Sequence, residues 1–251
     1  MDNINIFGIK IHNTNLEEVS EKLKIYLEGK SLKTIYTPNT EIIMEAKDNE
    51  NLKKIINNGD LVLPDGIGLV YGSRIKGRPL EMRVTGFDTS IRLLEIGDEY
   101  GYGIYLLGGK DGVAKDASIN IKKEYEGIKV LGCHSGYFQG SHLGIEDSQE
   151  EEQIIDDINN KSPDIIFVGL GFPRQEIWID RNKNKLKGKI IIGNGGVIDV
   201  LSGRVKRAPI IYQRLGLEWL YRLIQEPSRI KRQIALPKFI WEVLFNKDII
   251  R

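Results

Sequence analysis

Through most of the chain, short apolar runs alternate with longer segments in which apolar side chains recur at helical spacing. The runs Lys33–Thr37, Asp60–Leu63, Gly103–Leu107, Ile128–Cys133, Asp164–Val168 and Lys189–Ile192 are rich in Ile, Val, Leu and Tyr and are bounded by Gly, Asn or Pro. They read as strands. Helical patterns lie near 15–28, 40–58, 67–76, 86–99, 111–125, 148–161 and 174–186. Alternation of the two element types predicts an α/β fold, with a mostly parallel sheet covered by helices on both faces. Continuously apolar strands such as DIIFVGLG suit a sheet buried on both sides.

In such a sheet, ligands bind beyond the carboxyl ends of the strands. The segments at those positions are rich in small and polar residues: Thr37-Pro38-Asn39, Pro64-Asp65-Gly66, Gly108-Gly109-Lys110, Gly169-Leu170-Gly171 running on to Gln175 and Glu176, and Gly193-Asn194-Gly195-Gly196. Glycine lets a backbone approach a ligand closely, and a following helix N-terminus favours an anion such as a diphosphate. One such turn carries little weight, because tight strand-to-helix turns need glycine anyway. The five segments together point to a nucleotide-type ligand. The standard fingerprints are absent. Gly193-x-Gly195-x-x-Ile198 lacks the third glycine of a dinucleotide site, and Gly109-Lys110-Asp111 does not complete a phosphate-binding loop. No Asp-x-Asp follows a strand, which weakens the case for a metal-bridged sugar nucleotide.

Asp65 is the leading candidate for acid–base chemistry. It follows an apolar run and sits between Pro64 and Gly66, where a rigid, partly desolvated carboxylate suits a general base. It equally suits the N-cap of a helix starting near Ile67.

Charge adds a second feature. Residues 204–251 hold 11 Lys/Arg and 4 Asp/Glu, a net of +7, whereas residues 1–203 hold 25 and 31, a net of −6. The basic segment also carries Trp219, Tyr221, Phe239, Trp241 and Phe245, a mixture suited to an anionic bilayer surface. The chain therefore divides into an α/β core, 1–203, and a helical appendage, 204–251. On one ideal helix Arg214, Glu218, Arg222, Arg229 and Arg232 fall within about 80° of one another. Glu218 is spaced to pre-orient Arg214 and Arg222, and arginine grips a phosphate with paired hydrogen bonds. Pro227 must break or restart that helix. The segment 234–245 reads as an interfacial element.

The remaining features exclude more than they assign. One cysteine, Cys133, and three scattered histidines, His12, His134 and His142, leave no disulfide framework and no zinc spacing. The acidic stretch 146–157 reads as a solvated helix start. The N-terminus lacks a secretory pattern, and no run approaches about 18 apolar residues. The expectation is a cytoplasmic protein, peripheral on the inner face of the membrane.

The segments TPNTE, PDGIGLVYGSR, RVTGF, YLLGG, GLGFPRQEIWI, GNGGVIDVLSGRVKRAP and LGLEWLYRLIQEPSRIKR occur in that order. Together they resemble the WecG/TagA/CpsF family of bacterial glycosyltransferases over roughly residues 4–240. The resemblance implies a Rossmann-like core, a membrane-docking C-terminal appendage, and sugar transfer from a UDP-sugar donor to a polyprenyl-diphosphate-linked acceptor. In the best-known branch N-acetylmannosamine passes to N-acetylglucosaminyl-diphospho-undecaprenol for wall teichoic acid. Other branches use other hexose donors for surface polysaccharides. It further implies Asp65 as catalytic base with Thr37 and Asn39 beside it, and Arg83 facing the donor diphosphate. Gln175 and Glu176 of PRQE, with Gly108, Gly109, Asn194 and Gly195, would line the substrate pocket. Arg222, Arg229 and Arg232 would hold the acceptor's diphosphate. No cofactor is expected, and metal independence is expected from the missing Asp-x-Asp motif alone. Two segments depart from the expected pattern: GNGG, where a less polar turn is expected, and SHLGIEDSQ, which reads as a surface insertion.

Two other classes of function compete. A nucleic-acid-binding module would use the basic tail with strong salt dependence and no need of Asp65. A soluble nucleotide-sugar epimerase or dehydrogenase would need the missing dinucleotide fingerprint. Exposed aliphatic residues at 210–224 also leave open a homo-oligomer off the membrane.

Overall fold

A computed structural model describes residues 1–246, 249 and 250, apart from the side chains of Arg229 and Lys231. The chain opens with a hairpin of β1 (Asp2–Ile6) and β2 (Ile9–Asn13), followed by α1 (Leu16–Glu28) and β3 (Lys33–Tyr36). Then come α2 (Thr40–Lys47), α3 (Glu50–Asn57), β4 (Leu61–Val62), α4 (Ile67–Ile75) and α5 (Gly86–Tyr100). The second half of the sheet alternates β5 (Gly103–Gly108), α6 (Val113–Glu124), β6 (Lys129–His134), α7 (Gln149–Lys161), β7 (Ile165–Gly169), α8 (Arg174–Asn182), β8 (Ile190–Gly193) and α9 (Val197–Leu201). Short helices α10 (Ile210–Arg214), α11 (Glu218–Gln225), α12 (Ile230–Gln233) and a longer α13 (Ala235–Phe245) complete it.

The six central strands pair in parallel in the order β4-β3-β8-β7-β5-β6, as the alternation of patterns predicts. Successive strand residues face opposite layers. Tyr36, Val62, Leu107, Val168 and Ile191 enter one core with α2, α3, α7 and α8. Ile35, Leu61, Leu106, Phe167 and Ile192 enter the other with α1, α5 and α6. Burial of both faces is why these strands are continuously apolar. Because all six run the same way, their carboxyl ends and the following loops gather along one edge.

The structure departs from the sequence reading in four places. The hairpin of β1 and β2 lies outside the expected elements. Its signal is the alternation Ile4, Ile6, Ile9 and Ile11, all buried, around a Phe7-Gly8 turn in which both residues have positive φ. The single helix expected at 40–58 is two, because Asn49 caps a new helix by accepting from the N–H groups of Asn51 and Leu52. The helix expected over 174–186 ends at Asn182. The arginine-bearing helix is broken at Gly216, which adopts φ +70° between α10 and α11, in addition to the expected break at Pro227, which opens a 3-10 turn.

The segment after residue 204 is bound to the core at its far end. Phe239 and Val243 of α13 are fully buried, and Phe239 fills the space beside Gly72 of α4. The chain then returns to the hairpin, where the Phe7 N–H donates to the Ile249 carbonyl at 2.7 Å. The segment 234–245, read as interfacial, is thus half core helix. Its other face leaves Ile234, Trp241, Leu244 and Phe245 exposed. Among the described residues no helix is long and apolar enough to cross a membrane.

Candidate active site

The loops after β3 and β4 meet the N-terminus of α5. The Asp65 N–H donates to the Pro38 carbonyl at 3.2 Å, and the Val84 N–H to the Pro64 carbonyl at 3.0 Å. Asn39 caps α2 by accepting from the Ile42 N–H at 3.0 Å, so its side chain braces the Thr37-Pro38 loop. Asp65 does not cap its own helix. Gly66 takes the N-cap position of α4 and makes no side-chain cap bond. Instead Asp65 Oδ2 accepts from the Gly86 N–H at 3.0 Å, at the first turn of the long helix α5, whose positive end favours a carboxylate.

Gly86 is required there by close approach. A Cβ on it would lie 2.7 Å from Thr37 Oγ1 and 3.5 Å from Asp65 Oδ2. Thr37, Asp65 and Gly86 thus form one cluster from three loops. Burial pushes the Asp65 carboxyl above the usual carboxylate range, while the Gly86 N–H and the Arg83 and Arg222 guanidinium groups pull it back. Glu218 adds to the upward push. A carboxylate so placed is a stronger base than a solvated one, and it stands within the field of two cations.

The strand ends beyond this cluster form a glycine-lined shelf. Gly108 pairs with Gly169 at φ +154°, and a Cβ on Gly108 would lie 2.5 Å from the Gly169 carbonyl oxygen. The Gly109 N–H also donates to that oxygen, and Gly195 follows β8. Gln175 and Glu176 support the shelf from beneath. Gln175 Oε1 accepts from the Gly195 N–H at 2.9 Å, and its Nε2 donates to Glu176 Oε1 at 3.0 Å. Both side chains are buried, and burial pushes Glu176 up to about 7. Asn194 is buried too; its Nδ2 donates to Ser90 Oγ, which donates to the Gly86 carbonyl. Asn194 Oδ1 has no hydrogen-bond partner.

The cationic side of the site differs from the sequence expectation. Glu218 does not bridge Arg214 and Arg222. It pairs with Arg83 at 2.5 Å and approaches Arg207 at 3.7 Å, because the break at Gly216 separates it from Arg214. Arg222 is exposed and reaches Asp65 through its field. Arg232 stands 3.7 Å from Glu41 on α2. The side chain of Arg229 lies outside the described residues. Gly86, Arg207 and the partners of Glu218 escaped the sequence reading. Only the spacing of Thr85 and Asp88, the capping pair of α5, signals that this turn is a built structure.

Away from the pocket, the segment read as a surface insertion is partly anchored. His142 and Ser148 are buried, and Glu151, within the acidic stretch, accepts from Ser141 and Asn182. Leu143 and Ile145 remain exposed.

A desolvated carboxylate beside guanidinium groups, at the carboxyl edge of a doubly covered parallel sheet, defines an α/β group-transfer protein acting on an anionic donor or acceptor. The chain belongs to the glycosyl transferase WecG/TagA/CpsF family, whose model matches residues 4–249. It is similar to N-acetylglucosaminyldiphosphoundecaprenol N-acetyl-beta-D-mannosaminyltransferases. With that of Bacillus subtilis (strain 168) it shares 36% identity over 240 residues, covering 95% of this chain and 90% of the relative. The Bacillus spizizenii (strain W23) protein is 34% identical over 226 residues, covering 90% and 84%. The Staphylococcus aureus (strain MRSA252) protein is 30% identical over 250 residues, covering 99% and 94%. The nucleic-acid alternative gains no support from these relatives, and part of the tail's basic charge is already paired: Arg204 with Asp116, Arg207 with Asp88, Arg232 with Glu41.

Proposed function

We propose that the chain is an inverting glycosyltransferase that moves N-acetylmannosamine, or a related hexose, from a UDP-sugar to N-acetylglucosaminyl-diphospho-undecaprenol, in teichoic acid or surface polysaccharide synthesis. The observation that carries this reading is the half-buried Asp65 carboxylate, oriented by the Gly86 N–H within the field of Arg83 and Arg222. The names of the relatives supply the acceptor and the transferred sugar.

In this mechanism Asp65 removes the proton from the acceptor sugar's hydroxyl. The oxygen attacks the anomeric carbon from the face opposite the nucleotide. The bond from that carbon to the diphosphate oxygen breaks, its electron pair leaves with UDP, and the configuration inverts. Thr37 and Asn39 shape the pocket around the reacting hydroxyl. Arg83 offsets charge developing on the leaving diphosphate. The shelf of Gly108, Gly109 and Gly195 admits the donor close to backbone, with Gln175, Glu176 and Asn194 setting its form. Arg222, Arg229 and Arg232 hold the acceptor's diphosphate.

Guanidinium groups take the charge-neutralising role that a divalent ion fills elsewhere, so turnover should persist in excess chelator. The exposed face of α13, with α10 and its basic neighbours, would rest on an anionic bilayer and deliver the lipid-linked acceptor. Off the membrane, the same apolar face would be covered between copies of the chain; an unchanged sedimentation mass with and without anionic vesicles would refute that.

The deciding experiment measures UDP release from UDP-N-acetylmannosamine with detergent-solubilised N-acetylglucosaminyl-diphospho-lipid, for wild type and Asp65→Ala. Turnover that collapses in the variant supports the assignment. Turnover that survives removes Asp65 from the role of base. Failure of the wild type with a panel of UDP-sugars would overturn the transferase reading.

A further inference from the structure

We infer that Arg83 and Arg207 form a two-guanidinium seat for a diphosphate, and that Glu218 of α11 fills this seat until the ligand displaces it. Only the identity of the anion rests on the transferase reading.

The seat lies at the N-terminal turn of α5, which also orients Asp65. Arg207 is fixed on one side: its Nη2 donates to Asp88 Oδ1 at 2.7 Å, and its guanidinium lies 4.1 Å from the centroid of the Phe87 ring. Thr85 Oγ1 holds the other oxygen of Asp88 at 2.7 Å. This clamp leaves the Nε edge of Arg207 turned toward Glu218 Oε1, 3.7 Å away. That distance is too long for a hydrogen bond. Arg207 Nε is accordingly a buried donor with no hydrogen-bond partner, a state native proteins rarely tolerate without a reason. On the other side Arg83 Nη2 meets Glu218 Oε2 at 2.5 Å.

A single carboxylate therefore satisfies one guanidinium and falls short of the other. A diphosphate carries more acceptor oxygens over a longer span, and arginine's fork suits it. The helix N-terminus behind Phe87 and Asp88 adds to the attraction for an anion. The side chains of Arg83 and Glu218 are only 15% and 13% exposed, so their contact is shielded from solvent and salt. Once displaced, Glu218 has Arg222 one turn further along α11 as an alternative partner. Occupancy of the seat is thereby linked to the appendage that carries Glu218. Removal of its negative charge also relieves one of the influences that hold the Asp65 proton on.

The test is binding of UDP and, separately, of farnesyl diphosphate to the full chain at fixed ionic strength. Wild type is compared with Glu218→Gln, Arg207→Lys and Arg207→Gln, with thermal unfolding as the folding control. The seat predicts that Glu218→Gln tightens binding roughly three- to tenfold, since it removes an internal competitor held by Coulomb attraction. Arg207→Gln should weaken binding about tenfold or more, and Arg207→Lys by less, because a buried charge partner is lost. Tightening with UDP alone assigns the seat to the donor; tightening with farnesyl diphosphate alone assigns it to the acceptor. Unchanged or weaker binding in Glu218→Gln would overturn the proposal.

Trp219 adjoins Glu218 and gives a readout in the unmutated enzyme. Saturating diphosphate should shift its emission, a change missing from Trp219→Phe. No shift with either ligand would also overturn the proposal, whether or not the variants fold. A protein that binds in this manner yet transfers no sugar would sink the transferase reading and leave the seat standing.

Discussion

The Gly86 N–H donates to Asp65 Oδ2 at 3.0 Å, and the missing side chain of Gly86 is what lets Thr37 and Asp65 share that corner. Gly86→Ala should therefore damage the site more than the fold. A Cβ 2.7 Å from Thr37 Oγ1 forces one loop to move, at a cost of roughly 1–3 kcal/mol. Turnover should fall on the order of tenfold or more, because misplacement by about 1 Å can cost far more than that in rate. Thr37→Ala in the same chain should restore much of the melting temperature without restoring turnover. If the two substitutions act additively on stability, the contact is not the cause.

Asp65 must be ionised to take a proton, and burial holds its pKa above the ordinary carboxylate value. Activity is therefore lost as pH falls through that raised value. Arg222 opposes the shift, so Arg222→Gln should move the acid limb of the kcat/KM profile to higher pH. A limb that stays in place, with only KM changed, would confine Arg222 to acceptor binding.

Glu176 offers a stability test away from the reacting atoms. Burial raises it to about 7 from 4.5, so between those values the unfolded chain has released a proton that the folded chain keeps. Stability should decline as pH rises through this window, by up to about 3 kcal/mol at 1.36 kcal/mol per unit. Glu176→Gln should flatten the decline: no change near pH 4, and a higher melting temperature near pH 8. Parallel stability curves for the two proteins would contradict the raised value.

The two faces of α13 should respond oppositely to substitution. Trp241 and Phe245 are 66% and 65% exposed, with ring centroids 4.3 Å apart. Replacing both with Ser should leave melting nearly unchanged and reduce co-sedimentation with anionic vesicles on the order of tenfold or more, since each buried aromatic contributes roughly 1.5–3 kcal/mol. Phe239→Ala empties a fully buried position and should cost about 3–5 kcal/mol. Vesicle binding that survives loss of Trp241 and Phe245 would move the docking face elsewhere.

The class of fold and the family are legible along the chain. Doubly buried strands must be apolar throughout, and strand-to-helix turns must carry small residues. Both requirements act locally, so they are visible along the chain in DIIFVGLG, TPN and PDG. Tertiary structure alone decided the partnerships. Asp65 is equally plausible in one dimension as a helix cap or a base; the packing of α5 against the β4 loop turned it to Gly86. Glu218 looks from its spacing like a partner of Arg214 and Arg222, yet a reversal at Gly216 brought it to Arg83, 135 positions away. The tail reads as a separate appendage because its composition changes at residue 204, while Phe239 and Val243 join the core. Composition records what each side chain tolerates. Contacts between distant segments depend on how helices pack, and no local pattern encodes that.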